Sequence, residues 1–212
     1  IVEIMKVHRG QCLLSEDGLE LEYDDLVETI EELGKQLSSI DMENNKICAL
    51  VLPNGVDIAI SFLALANYVT VSPLNPNYTK EEFLFFLEDL DCEFIITDSN
   101  VSNSLLEAAK QLKIKLFYLN NYSPKNRLLI KSLSTPSKCL LEQNRADDIC
   151  LILHTSGTTS RPKQVQLSCM NIISSALNIA RVLQLEREDL SLIHISEPTR
   201  LLSIGVGGVC VE

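Results

Sequence analysis

Four things are scarce in this sequence, and each scarcity removes a class of function. Histidine occurs only as His8, His154 and His194, too few and too scattered to suggest an imidazole metal site. The seven cysteines are odd in number and include no CxxC pair. Cys150 and Cys169 flank a polar stretch with no second ligand pair nearby, so a zinc site is not expected. Basic residues are outnumbered, 18 against 29 acidic, giving a net charge of -11. That balance argues against nonspecific attraction to nucleic acid or anionic membranes. Long apolar runs are also missing: the greasiest stretch, 56–71, contains Asp57, Asn67 and Thr70 and stops short of Pro73. It is too brief and too interrupted to span a bilayer. No internal repeat or low-complexity tract is present.

What is present suits a buried core. Of 212 residues, 46% are hydrophobic and 22% charged, beyond the range of a disordered chain. Much of the acidity lies between Glu16 and Glu32, as a solvated helix face would have it. No signal peptide is visible. The chain begins at Ile1 rather than Met, so a native start with any targeting signal is expected ahead of it.

A rhythm of strands and helices follows. Residues 19–23 alternate apolar and acidic, as a half-exposed strand does. Asp24 or Asp25 is placed to cap a helix carrying Leu26, Ile30, Leu33 and Leu37 on one face. Residues 46–52 form a nearly continuous apolar run, predicting a strand buried on both sides. A break at Pro53, Asn54 and Gly55 precedes a buried helix over 56–66, with Asn67 at a position suited to a left-handed residue. Strands are then predicted at 68–72, 93–97, 115–119 and 149–154, and helices at 80–90, 104–112 and 169–183. The last helix has Ile172, Ile173, Ala176, Ile179, Ala180 and Leu183 on its apolar side. Residues 120–145 lack a period and read as a surface connection. The fold class expected is α/β, with mainly parallel strands and helices on both faces.

The chemistry is concentrated where the strand at 149–154 ends. There Thr155, Ser156, Gly157, Thr158, Thr159, Ser160, Arg161, Pro162 and Lys163 run toward the next helix. Five hydroxyl residues around one glycine are poor core material, but their O–H and backbone N–H groups can wrap phosphate oxygens. Lys163 adds a point charge. The common NTPase phosphate loop does not fit: in that alignment Pro162 falls on the second glycine and Gln164 on the magnesium-binding hydroxyl. A run of Ser, Thr and Gly between strand and helix is by itself most often an ordinary capped turn. His154 reads as a packed strand end, and Asn75, Asn77 and Tyr78 as turn and packing residues.

Residues 155–163 resemble the Ser/Thr-Ser-Gly-Thr-Thr-Gly/Ser-x-Pro-Lys-Gly loop of the adenylate-forming acyl-CoA synthetases. Two further stretches agree in order. Leu21-Glu22-Tyr23-Asp24-Asp25-Leu26 is similar to an early family segment, and residues 56–78 resemble the family's helix, turn and strand leading to Pro-Leu-Asn-Pro-x-Tyr. Gln164 departs from the family glycine. The loop and the PLNPNY segment look most like the oxalate–CoA ligase branch. The resemblance implies a two-step reaction in which a small carboxylic acid attacks the α-phosphate of ATP, giving acyl-adenylate and pyrophosphate, and coenzyme A then displaces AMP. Thr155, Ser156, Gly157, Thr158, Thr159, Ser160 and Lys163 would hold the β- and γ-phosphates, with Mg2+ offsetting their charge. The catalytic lysine and the acidic metal ligand of the family are expected beyond this chain, so the fragment is expected to be inactive and to leave apolar surface uncovered. Alternatives are an adenylation unit that loads a carrier protein, or a noncatalytic nucleotide-binding product. The expected compartment is intracellular, cytoplasmic or peroxisomal.

Residues 190–200 read LSLIHISEPTR, the in-frame translation of a common transposase-type sequencing adaptor. Residues 1–189 are therefore expected to be part of the synthetase amino-terminal domain, and residues 190–212 a non-native tail.

Overall fold

Short runs that are apolar on both faces are satisfied only inside a covered sheet, and the computed structural model of the chain builds one. It describes residues 10–14, 20–38, 46–120, 130, 142–155 and 162–185. Five parallel strands form the sheet: β3 (Ile47–Val51), β4 (Thr70–Pro73), β5 (Phe94–Thr97), β6 (Lys115–Tyr118) and β7 (Ile149–Thr155). A sixth, β8 (Lys163–Ser168), joins β7 antiparallel, so the order is β6-β5-β3-β4-β7-β8. Apart from it, β1 (Gln11–Leu14) and β2 (Glu20–Glu22) make a small antiparallel ribbon.

The period-2 rule divides the core in two. Cys48, Leu50, Val71, Phe94, Ile96 and Leu151 face one apolar cluster, which is completed by helices α1 (Tyr23–Ser38) and α2 (Val56–Leu65). Ala49, Val51, Ile95 and Ile152 face the other, against α3 (Lys80–Asp89) and α4 (Asn103–Leu112). The α/β expectation, with helices on both faces, holds. Leu26, Ile30, Leu33 and Leu37 of α1 are all fully buried, so that stripe was read correctly. Gly34 lies among them, where the Tyr68 ring crosses the helix backbone.

Three expectations need correction, and one strand of the sheet was not predicted. The α1 helix begins at Tyr23, which puts Asp24 and Asp25 in its first turn rather than at its cap; there they oppose the helix dipole. Asn67 is not left-handed: α2 closes on Ala66 in the right-handed region. Instead the buried Asn67 side-chain amide donates to the Leu63 carbonyl, and the Asn67 backbone carbonyl accepts from Asn144 N at 2.6 Å. The connection at 120–145 is not wholly superficial, because Ile130 is buried, bridges Leu119, and donates its N–H to Gln36 Oε1 at 2.7 Å. Finally, β8 was missed, although Val165 and Leu167 alternate with polar residues as a strand requires.

Capping agrees with local chemistry. Thr79 and Glu82 form a reciprocal box at the start of α3, and Ser102 accepts from Leu105 N at 3.3 Å at the start of α4. Helix α5 (Cys169–Leu183) starts with a Ser168–Asn171 box. It is poorly covered. Among the described residues, the exposed large hydrophobics all lie between Val165 and Leu185, and Val182 is 80% exposed.

Candidate functional site: the hairpin at the carboxyl edge of the sheet

In an open α/β sheet, ligands collect beyond the carboxyl ends of the parallel strands. The end of β7 lies on that edge. Its backbone ladder to β4 is brief, with Val71 opposite Leu151. Side-chain hydroxyls reinforce the pairing: Thr70 Oγ1 donates to Ile149 O at 2.7 Å, and the fully buried Ser72 Oγ donates to Ile152 O at 3.0 Å. Past that point β7 is carried outward mainly by its hairpin with β8, whose last rungs pair His154 with Gln164 and Thr155 with Lys163.

The mouth of the hairpin is therefore made by two of the seven residues expected to bind phosphate. Thr155 and Lys163 are both exposed, and Thr155 Oγ1 donates to Lys163 O at 3.4 Å. Among the described residues no carboxylate pairs with the Lys163 ammonium. Ser156, Gly157, Thr158, Thr159 and Ser160 lie outside the described residues. An exposed hydroxyl and an exposed ammonium across one ladder rung suit the oxygens of a phosphate chain.

Just beneath them the contacts become dense. His154 has a side chain only 7% exposed; its Nε2 lies 3.0 Å from Asp89 Oδ2 at the end of α3. Gln164 Nε2 donates to the same Oδ2 at 2.8 Å and to the Asp89 backbone carbonyl. The Phe86 ring meets His154 edge-on at 4.8 Å, and Tyr78 stacks on Phe86 at 4.9 Å. His154 is thus a packed strand end, as expected. Asn75 is a turn residue, accepting from Asn77 N at 2.9 Å, and Tyr78 is a packing residue.

The AMP-binding enzyme family model matches residues 5–206. The chain belongs to the AMP-binding enzyme family. Among curated proteins it is similar to the oxalate–CoA ligase of Arabidopsis thaliana, 36% identical over 173 residues, covering 79% of this chain and 34% of that protein. It is also similar to the oxalate–CoA ligase of Saccharomyces cerevisiae, 32% identical over 172 residues, with 68% of this chain and 31% of that protein covered. The chain spans about a third of the length of these relatives. Among solved structures, the O-succinylbenzoate coenzyme A synthetase of Bacillus subtilis in complex with AMP superposes with a TM-score of 0.72 at 22% identity. That match covers 89% of this chain and 47% of the other, and it speaks to the fold.

Within this AMP-binding enzyme domain, five of the cysteines fall among the described residues, and all five are buried free thiols. Cys150 lies in β7 and Cys169 directly follows β8, one on each arm at the base of the hairpin. Their mutual influence lowers the Cys169 thiol and, together with burial, raises the Cys150 thiol. Burial pushes Cys12 and Cys92 up to about 12 and Cys48 well above its ordinary value. No group of His, Cys, Asp or Glu among the described residues is arranged to hold a metal ion, and no described helix is long and apolar enough to cross a membrane. Sequence reasoning missed Asp89 and the side-chain role of Gln164. Asp89 closes an ordinary amphipathic helix, and nothing in its neighbourhood along the chain marks its contact with a strand 65 residues away.

Proposed function

We propose that this chain supplies the nucleotide-phosphate grip of an AMP-forming carboxylate–CoA ligase of the oxalate–CoA ligase type. The observation that carries the reading is the Thr155–Lys163 rung. It opens outward at the carboxyl edge of a doubly covered sheet, at the two ends of a hydroxyl-rich segment. Thr155, Ser156, Gly157, Thr158, Thr159 and Ser160 donate hydrogen bonds to the β- and γ-phosphates of ATP, and Lys163 places a positive charge against them. Their contribution is positioning and electrostatic stabilisation as the acid attacks the α-phosphate and pyrophosphate departs. Magnesium, when bound with the nucleotide, offsets the phosphate charge. The resemblance implies that its carboxylate ligand lies in sequence beyond this chain. Oxalate as the acid, and coenzyme A as the acceptor, are supported by the two oxalate–CoA ligases at 32% and 36% identity.

Acid-dependent exchange of pyrophosphate into ATP tests the assignment. The 212-residue chain is expected to show none. A full-length version carrying this segment is expected to exchange with oxalate. With the hydroxyls of 155–160 and Lys163 replaced by alanine, that exchange should fall on the order of a hundredfold or more. Unchanged exchange in the replaced enzyme refutes the phosphate grip. Transfer to a carrier-protein thiol in place of coenzyme A would move the assignment to the carrier-loading class. Residues 190–212 lie outside the described residues; although the family match runs on to residue 206, we propose from the LSLIHISEPTR string that they are adaptor-derived.

A further inference from the structure

The hairpin that carries Thr155 and Lys163 projects beyond the point where β7 is held by the sheet. On its β4 side the last attachments are the Val71–Leu151 pairing and the Ser72 hydroxyl on Ile152 O. A two-stranded ribbon running free of its sheet is marginal by itself, so something else must set where Thr155 and Lys163 stand. One oxygen of Asp89 takes a hydrogen bond from each arm, His154 Nε2 at 3.0 Å and Gln164 Nε2 at 2.8 Å. These are the two residues of the rung immediately below the Thr155–Lys163 rung. A second bond from Gln164 to the Asp89 carbonyl fixes that arm to the backbone of α3.

We infer that Asp89 is a positioning residue: it anchors both arms of the hairpin to the end of α3 and so sets where the Thr155 hydroxyl and the Lys163 ammonium stand. Gln164 supplies the second arm of this anchor. It occupies the place where the resembled loop pattern has glycine, which has no side chain to reach α3; here an amide restrains the arm instead. The anchor is itself held from behind. Phe86, one turn before Asp89, packs edge-on against His154 and is backed by Tyr78. The Pro-Leu-Asn-Pro-Asn-Tyr turn is thereby joined mechanically to the hairpin through Tyr78, Phe86 and His154. That the positioned groups serve a phosphate chain rests on the function proposed above; the anchoring does not.

Hydrogen exchange of the 212-residue chain, read by mass spectrometry on peptides covering 152–168 and 103–112, tests the anchor, with inorganic tripolyphosphate plus magnesium as the binding probe. Asp89→Ala and Gln164→Gly should each speed exchange in the hairpin arms by about tenfold or more while leaving 103–112 unchanged. Asp89→Asn, which keeps an acceptor of the same shape, should give a smaller acceleration. Glu88→Ala, at the exposed neighbouring position, should give none. The Asp89→Ala and Gln164→Gly chains should also bind magnesium tripolyphosphate several-fold more weakly than the unaltered chain. Arms that exchange at the unaltered rate, an acceleration shared by 103–112, or an equal effect from Glu88→Ala would each overturn the anchor. If the arms loosen as expected but the unaltered chain binds no tripolyphosphate, the anchor stands and the phosphate reading fails. Should Asp89→Ala not fold, Gln164→Gly and Asp89→Asn decide the matter.

Discussion

Gly34 offers a direct test of how α1 packs against the turn that follows α2. In the middle of an accessible helix, replacing glycine with alanine stabilises by roughly 0.5–1 kcal/mol, because alanine has less backbone freedom to lose. At this position the opposite is expected. A methyl group built on Gly34 would lie 2.5 Å from Tyr68 Oη and 2.6 Å from Tyr68 Cε2, about 1 Å inside a comfortable carbon contact. The ring cannot simply swing into water, since Tyr68 is 6% exposed and its backbone is tied to Leu65 O at 2.8 Å. Overfilling a packed site costs about 1–3 kcal/mol, so the net change for Gly34→Ala is a loss of about 0.5–2 kcal/mol. Urea unfolding followed by circular dichroism would read it as a midpoint lowered by several tenths of a molar at unchanged slope. Tyr68→Leu provides the control. With the outer ring atoms gone, Gly34→Ala should become neutral or stabilising, and the difference between the two backgrounds measures the clash. A higher midpoint for Gly34→Ala in the Tyr68 background, or the same shift in both backgrounds, would refute the close approach.

Two other expectations concern the thiols and the tail. Burial raises the folded-state pKa of Cys92 to about 12 from an ordinary 9.0, so its stabilising contribution is intact below about pH 9 and is lost as pH rises toward 12. At pH 10.5 ionisation of this thiol favours the unfolded chain by about 2 kcal/mol. Cys92→Ala should therefore lose about that much less stability than the parent between pH 7.5 and 10.5 in urea titrations, and identical losses would show that the thiol is not sequestered. For the tail, independently obtained transcript or genomic sequence should leave this reading frame close to residue 190. An uninterrupted exon encoding LSLIHISEPTR would make residues 190–200 native.

The five parallel strands were readable because they are short, largely apolar runs, a property local to five or so residues. The same holds for the helices. Leu26, Ile30, Leu33 and Leu37 recur at the helical period, and Thr79 with Glu82 or Ser102 with Leu105 mark helix starts by chemistry confined to one turn. Two errors came where a residue's state depends on a distant partner. Asn67 satisfies its amide and carbonyl through Leu63 and Asn144, so it has no need of the left-handed turn its type allows. Ile130 sits in an unpatterned stretch yet is buried, because Leu119 and Gln36 await it.

For the candidate site, sequence alone determined the chemical character of the turn, since hydroxyls, glycine and lysine crowded between a buried strand and a helix need no partner to be recognised. It also determined the family, because three ordered motifs carry that information linearly. Only the tertiary structure decided that Thr155 and Lys163 face each other across one rung and that Asp89 holds both arms. Those are facts about proximity between segments tens of residues apart. Pairing of that kind is fixed by how the strands and α3 pack, and it leaves no periodic trace along the chain.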